Sequence, residues 1–208
     1  VALKVLDQSG AGKTSDVLAA LEWVLANHVT YNIRIVNLSL GHPIYEGAAT
    51  DPMVRLVVQL TKKGIVVVVS AGNLGKNALG QTVYGSITSP ANAQGAITVG
   101  ASDTGTTLER GDDTVASFSS RGPTKYDRFI KPDVLAPGYQ IASLLSAGST
   151  LEARYPQLKI GSGYFRLNGT SQAAPVVAGA AALMLHANSK LSAHTVKAVI
   201  QYTSQRLR

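Results

Sequence analysis

The chain has 208 residues, 45% hydrophobic and 15% charged, a composition typical of one ordinary globular domain and unlike that of a disordered segment. The formal charge of +7 is spread over scattered cations and there are few aromatic residues, so we do not expect nucleic-acid binding. The unbroken apolar runs are far too short to cross a membrane, and the absence of cysteine excludes disulfides and thiolate chemistry.

The first half of the chain alternates between predicted strands and helices. An apolar strand at residues 1–6 leads through a Gly-rich loop to an amphipathic helix over residues 15–27, capped by Thr14 or Ser15. The β-branched run at residues 65–69 is typical of a central parallel strand that is covered on both faces. The other predicted elements here are a strand at residues 33–40, a helix at 52–63 and a strand at 96–99.

The second half begins with a polar, turn-rich stretch at residues 102–124. Residues 143–166 show weak periodicity and are predicted to form a surface excursion. The predicted elements here are a strand at residues 132–136, an apolar helix at 171–187 and an amphipathic helix at 193–203 capped by Ser192. Because strands alternate with helices and no linker interrupts them, we expect one α/β domain with a doubly wound sheet over residues 1–208.

A first candidate site is the loop of Gly10, Ala11, Gly12, Lys13 and Thr14, between a predicted strand and helix. It resembles the end of a phosphate-binding loop, whose backbone N–H groups cradle phosphates. That pattern requires a glycine where this chain has Asp7, a carboxylate that would repel phosphate. A plain turn is therefore favoured, and nucleotide binding is kept as an alternative function.

The strongest signal is Asn168-Gly169-Thr170-Ser171, which opens the apolar helix. A serine at a helix N-terminus lies among unpaired N–H groups, which stabilise negative charge developing beside it. Pro175 is expected in the first helical turn, where its missing N–H costs nothing. From these residues alone, a nucleophilic serine and a simple N-cap are about equally good interpretations.

Two further segments follow predicted parallel strands. Asn73, after Ser70-Ala71-Gly72, could point its amide into the crevice where ligands bind and complete an oxyanion hole, although Asn also suits turns. Gly41, after Ser39 and Leu40, would allow an extended ligand to approach the backbone closely.

Taken together, these segments resemble the subtilases, the subtilisin-like serine peptidases, in order and approximate spacing, with the flavour of bacterial alkaline-type members. The resemblance implies a three-layer, doubly wound, mainly parallel α/β fold, of which these residues are the C-terminal two-thirds, incomplete at the N-terminus. The motifs that carry it are residues 36–41, 68–73, 116–123, 131–138 and 168–175.

The resemblance also implies roles for individual residues. Ser171 is the nucleophile, and Asn73 with the Ser171 backbone N–H forms the oxyanion hole. A polypeptide substrate binds as an extended strand, and a cis peptide is expected at Ser89-Pro90. The substrate-binding residues implied are Gly10, Ala11, Gly12, Ser39, Leu40, Gly41, Ser70, Ala71, Gly72, Gly169 and Thr170.

Two members of the catalytic triad lack a counterpart in this sequence. None of His28, His42, His186 and His194 has the context of the family's base, and the family's motif for the orienting Asp does not occur. We expect both on an upstream segment of the same domain, with these 208 residues inactive alone. Calcium is expected as a possible structural ion without an identified site, since Asp103, Asp112 and Asp113 suit solvated turns equally well.

The predicted function is a serine endopeptidase with a broad, apolar or aromatic preference before the cleaved bond and no cofactor for catalysis. By resemblance it is secreted, although an intracellular location is also compatible with the sequence. The alternatives are a non-catalytic pseudo-peptidase that binds peptides and a nucleotide-binding α/β protein.

Overall fold

The computed structural model describes residues 1–207, which form five α-helices, one 3-10 turn and ten strands. In chain order these are α1 (Thr14–Asn27), β1 (Ile35–Leu38), β2 (His42–Pro43), α2 (Pro52–Lys62), β3 (Val66–Ser70), β4 (Thr88–Ser89), β5 (Ile97–Asp103), β6 (Thr114–Val115), β7 (Val134–Pro137), β8 (Ile141–Leu144), α3 (Thr150–Arg154), the 3-10 turn (Pro156–Leu158), β9 (Lys159–Ile160), β10 (Tyr164–Leu167), α4 (Thr170–Ala187) and α5 (Ala193–Thr203). In this part of the chain, no helix is long and apolar enough to span a bilayer.

The centre of the fold is a mainly parallel sheet. Strands β1, β3, β5 and β7 lie side by side in parallel, and the short β6 pairs antiparallel with the end of β5. Side chains alternate across β3: Val67 and Val69 pack with α1 and α2, while Val66 and Val68 pack with α4 and α5. All of β3 is buried, as predicted for an apolar strand with helices on both faces. The predicted three-layer α/β fold is confirmed.

The segment at residues 1–6 was predicted to be a strand, and this prediction is wrong in the structure. A strand requires a hydrogen-bonded neighbour, and among the described residues β1 pairs only with β3. Residues 1–6 instead lie on one side of a groove of about 510 Å³, and the open edge of β1 lies on the other side. Val1, Leu3 and Val5 line one side of this groove, which we call the edge groove.

Two local predictions also need correction. Helix α1 begins at Thr14, and its N-cap is Lys13, which makes no side-chain capping bond, so neither Thr14 nor Ser15 caps it. The predicted surface excursion is more ordered than its periodicity indicates, since β8, β10 and β9 form an antiparallel sheet that buries Phe165. Because this sheet is small and exposed on most positions, its strands lack a regular apolar alternation.

Candidate active site

The candidate site forms where two strands end and one helix begins. Strands β1 and β3 are parallel neighbours, so the segments that follow them emerge at the same edge of the sheet. The N-terminus of α4 meets both segments: Ser39 hydrogen-bonds to Ser171, and Asn73 hydrogen-bonds to Thr170. Ser39 and Ser171 are 132 positions apart in the sequence, and Asn73 and Thr170 are 97 positions apart, yet all four residues lie in one cluster.

The start of α4 leaves the Ser171 hydroxyl free of a capping role. Gly169 is the N-cap, with φ of 157° in a region that disfavours a side chain, and it makes no side-chain capping bond. The Thr170 hydroxyl accepts from the Gly72 N–H at 3.1 Å. The Ser171 hydroxyl donates to the Ser39 carbonyl at 3.2 Å and does not cap the helix. The N-cap alternative for Thr170 or Ser171 is therefore wrong.

Pro175 explains why Ser39 lies against Ser171. The proline is the sixth residue of α4 and not part of its first turn, which corrects the sequence-based expectation. In a regular helix the N–H of residue 175 would bond to the carbonyl of Ser171, and proline has none. The Ser39 hydroxyl donates to that carbonyl instead, at 2.9 Å, and is itself held by the Asn37 amide at 2.9 Å.

The carboxamide of Asn73 is held in a single orientation. Its Oδ1 accepts from both the N–H of Thr170, at 2.9 Å, and the Thr170 hydroxyl, at 3.0 Å. Two donors at one atom identify that atom as the oxygen, so Nδ2 faces away from Thr170. Among the described residues, neither Nδ2 nor the backbone N–H of Ser171 has a hydrogen-bond partner. Two donors at the start of α4 are thus free, one on Ser171 itself and one on the side chain that is bonded to the preceding Thr170.

A cleft of about 390 Å³ runs beside this cluster. Gly10, Ala11 and Gly12 line this cleft together with Ser39, Leu40 and Gly41. The remaining predicted substrate-binding residues are not among those that line this cleft. Ser70 and Ala71 are buried, Gly72 is half-exposed with φ of 107°, and Gly169 and Thr170 are buried in the start of α4.

In the loop at residues 10–14, the N–H groups of Gly10 and Ala11 are already bonded to Asp7. The Asp7 carboxylate accepts from the N–H and hydroxyl of Ser9, at 2.8 and 2.6 Å, and from the N–H of Ala11, at 3.0 Å. These hydrogen bonds lower the pKa of Asp7 and keep its carboxylate ionised, and the bond from the Ser9 hydroxyl contributes most. Because a fixed negative charge already occupies the loop, nucleotide binding is disfavoured.

No histidine of the described chain hydrogen-bonds to Ser171. His28 contacts the Leu25 carbonyl at the end of α1, and His42 contacts the Pro43 carbonyl and stacks on Tyr45. His186 and His194 are exposed on α4 and α5.

Residues 1–207 also contain no cluster of three or more His, Asp or Glu arranged to hold a metal ion. Asp103 and Asp112 accept hydrogen bonds within their own turn.

Sequence reasoning missed the contribution of Thr88 and of Ser120. The expected cis peptide at Ser89-Pro90 is present, and Thr88 directly precedes it, buried against the end of β3. The Ser120 hydroxyl accepts from the Leu74 N–H at 3.0 Å and supports the loop that carries Asn73. Thr88 lies in a stretch with no periodic pattern or motif, and Ser120 lies in the motif at residues 116–123, where nothing local distinguishes it from its neighbours.

The similarity to known proteins extends over the whole chain. A sequence profile described as "Subtilase family" matches residues 1–208. The chain is 41% identical to "Serine protease AprX" of Bacillus subtilis (strain 168), over 97% of this chain and 45% of that protein. It is 34% identical to "Subtilisin DY" of Bacillus licheniformis, over 99% of this chain and 61% of that protein.

Two solved structures are also similar to the chain. "Sphericase" superposes with a TM-score of 0.74 at 27% identity, over 97% of this chain and 58% of that chain. The "S41 Psychrophilic Protease" superposes with a TM-score of 0.73 at 29% identity, over 96% and 58%. The chain therefore spans about half the length of the proteins that it matches.

Proposed function

The chain belongs to the subtilase family, and we propose that the protein containing it is a serine endopeptidase with Ser171 as its nucleophile. The Ser171 oxygen bonds to a peptide carbonyl carbon, the C–N bond breaks, and the hydroxyl proton passes through a base to the leaving amine. Water then hydrolyses the acyl-enzyme. The observation that carries this proposal is the pair of hydrogen bonds that fixes Asn73 to Thr170, the residue that precedes Ser171.

The free donors supply the electrostatic part of the mechanism. Negative charge develops on the carbonyl oxygen during attack, and donors already aimed at that oxygen lower the barrier. Asn73 Nδ2 and the Ser171 N–H are the two such donors, and the N-terminus of α4 adds its positive end. In this proposal Thr170 is a positioning residue, because both of its donors orient the Asn73 amide.

The substrate binds as an extended strand in the 390 Å³ cleft. Its walls at residues 10–14 and 39–42 supply backbone on both sides, which suits a polypeptide better than a compact small molecule. Calcium, if bound, serves as a structural ion, and the chemistry itself uses no cofactor. Secretion of the complete protein belongs to the same proposal and is tested by fractionating producing cells.

The base and its orienting carboxylate come from polypeptide outside these 208 residues. In the described residues the Ser171 hydroxyl has only the Ser39 carbonyl as partner, and a carbonyl cannot take up its proton. The edge groove beside β1 offers a place for an upstream segment of the same domain. Loss of the base costs about 10⁶ in turnover in subtilisin, so residues 1–208 alone should be essentially inactive.

Labelling of the complete protein with a fluorophosphonate probe tests the proposal. Ser171 should be modified, Ser171→Ala should abolish both labelling and peptide hydrolysis, and Ser189→Ala, at an exposed serine, should change neither. Peptide binding without labelling would instead indicate a pseudo-peptidase. ATP binding without labelling would indicate the nucleotide-binding alternative.

A further inference from the structure

Two serines from different elements exchange hydrogen bonds at the start of α4. The Ser39 hydroxyl donates to the Ser171 carbonyl at 2.9 Å, and the Ser171 hydroxyl donates to the Ser39 carbonyl at 3.2 Å. The second bond has to break before Ser171 can attack a substrate, because the Ser171 proton must reach a base. The first bond uses only the backbone of Ser171, so it can persist throughout the reaction.

The Ser171 carbonyl lacks its regular helical partner because of Pro175. In an α-helix the N–H of residue 175 would bond to the carbonyl four positions earlier, which belongs to Ser171. Proline has no N–H, and its ring crowds that same carbonyl. A backbone carbonyl that is withdrawn from water needs a donor, and Ser171 is half-buried. The Ser39 hydroxyl takes the place of the missing N–H.

The direction of the Ser39 hydroxyl is set by Asn37. A hydroxyl has one proton to donate and can accept hydrogen bonds on the same oxygen. Asn37 Nδ2 donates to the Ser39 oxygen at 2.9 Å, so the Ser39 proton is directed at the Ser171 carbonyl. Asn37 lies on β1, paired in register with Val68 of β3. A chain of hydrogen bonds therefore connects the central sheet to Ser171.

Ser171 is held from both of its neighbouring strands. Before it in the chain, Thr170 is fixed by two hydrogen bonds to Asn73, which follows β3. After the Cα of Ser171, its carbonyl is fixed by Ser39, which follows β1. These two attachments restrict movement of the Ser171 backbone while its hydroxyl rotates. Such precision matters, since a misplacement of about 1 Å can cost about 10² in rate.

We propose that Ser39 is a positioning residue for Ser171, whose hydroxyl replaces the N–H that Pro175 lacks and holds the backbone of the nucleophile in the geometry for attack. This inference rests on the proposed peptidase function. It goes beyond the role that resemblance implies for Ser39, which is contact with substrate. The Ser39 hydroxyl is engaged by Asn37 and Ser171, so it acts through the nucleophile.

The test is a double-mutant cycle between Ser39 and Pro175 in the complete protein, with kcat and KM measured on one chromogenic peptide. Titration with the fluorophosphonate probe gives the concentration of assembled sites, so that kcat is expressed per site. Ser39→Ala should lower kcat by about tenfold, because the Ser171 backbone is released. It should change KM by less than about twofold, since the hydroxyl does not bind substrate.

Pro175→Ala supplies the decisive comparison. The alanine restores an N–H four positions after Ser171, and this N–H can bond to the Ser171 carbonyl in place of the Ser39 hydroxyl. In the Pro175→Ala background, Ser39→Ala should therefore lower kcat by less than about twofold. A role of Ser39 in general stability alone would give the same loss in both backgrounds.

Ser192→Ala is the matched control, because it also removes a hydroxyl that is bonded to backbone. The Ser192 hydroxyl accepts from the Thr195 N–H at 3.1 Å at the start of α5. Its removal should leave kcat and KM unchanged. If Ser39→Ala takes no label, Ser39→Cys, which has a weaker donor in place of the hydroxyl, is measured in both backgrounds with the same expected direction.

A kcat of Ser39→Ala within about twofold of that of the unaltered protein would overturn the inference, and so would an equal loss with and without Pro175. A rise in KM at unchanged kcat would also overturn it, because Ser39 would then act on substrate binding. In these cases the peptidase function would stand. Failure of the unaltered protein to take the label or cleave the peptide would overturn the proposed function together with this inference.

Discussion

At the scale of single residues, the orientation of one amide determines what the site can do. A carboxamide has an oxygen that accepts hydrogen bonds and a nitrogen that donates them. The N–H and the hydroxyl of Thr170 both donate to the oxygen of Asn73. The donor nitrogen of Asn73 is left without a hydrogen-bond partner among the described residues. Thr170 is fully buried, so this arrangement does not depend on solvent.

The first prediction concerns Asn73→Ala in the complete protein. Removal of the Nδ2 donor should lower kcat by about 10² to 10³ with little change in KM, the cost measured for the equivalent loss in subtilisin. Asn77→Ala is the control, because the Asn77 carboxamide bonds only within its own loop. Steady-state kinetics on one peptide substrate provide the measurement, and a loss below tenfold would reject the assignment.

At the scale of elements, a buried charge cluster attaches α5 to the sheet. Lys131 is 5% exposed and pairs with Asp133 at 2.6 Å, and Lys197 of α5 pairs with the other oxygen of Asp133 at 3.0 Å. Both ammonium groups also donate to the Ala96 carbonyl. Burial lowers the pKa of Lys131 to about 8, although the negative charge of Asp133 opposes this shift.

The second prediction is a stability that rises with pH. The pKa of Lys131 is about 8 in the folded state and near the ordinary 10.5 in the unfolded state. Between these values the unfolded state binds more protons, so the free energy of unfolding increases from about pH 8 to pH 10.5. At about 1.4 kcal/mol per unit of pKa, the gain amounts to about 3 kcal/mol.

Urea unfolding of the complete protein in a Ser171→Ala background, which prevents self-digestion, checks this gain at several pH values. Lys131→Met keeps the aliphatic stem without the ammonium, and it should lack the part of the rise that belongs to Lys131. Parallel pH profiles for the two proteins would show that Lys131 does not cause the effect.

At the scale of the whole molecule, the sheet has one open edge beside the candidate site. Strand β1 has a single hydrogen-bonded neighbour among the described residues, and its other edge faces the edge groove. The groove is lined by apolar side chains of residues 1–5 and of α1. An apolar groove along an unpaired strand favours pairing with a further segment of chain.

The third prediction tests whether such a segment fills the groove in the complete protein. Leu3 is 39% exposed in the described residues, so without an occupant Leu3→Asp should be nearly neutral. With the groove filled, the buried carboxylate should lower the free energy of unfolding by about 2 kcal/mol or more. Leu108→Asp, at a fully exposed leucine, is the control and should change stability by less than about 0.5 kcal/mol. Equal effects of both substitutions would argue against an occupant.

The elements that sequence predicted best are those whose apolar pattern is local. Helix α5 was predicted at its observed bounds, and α2 to within one residue. Residues 1–6 were predicted wrongly because a strand depends on a neighbour that the apolar pattern of the segment does not reveal. Candidate site residues were found through motif resemblance, and Thr88 was missed because it packs against Gly41 and Gly72, which are distant in sequence.

The sequence by itself determined the family and the α/β class, and it singled out Ser171 and Asn73 as candidate site residues, because helical and strand periodicity and short motifs are properties of neighbouring residues. Only the tertiary structure decided which face of the Asn73 amide is free, why Ser39 contacts Ser171 and which glycines Thr88 packs against. These features arise where separate strands and a helix end at one edge of the sheet. Contacts of that kind are set by packing in space and leave no periodic trace in the chain.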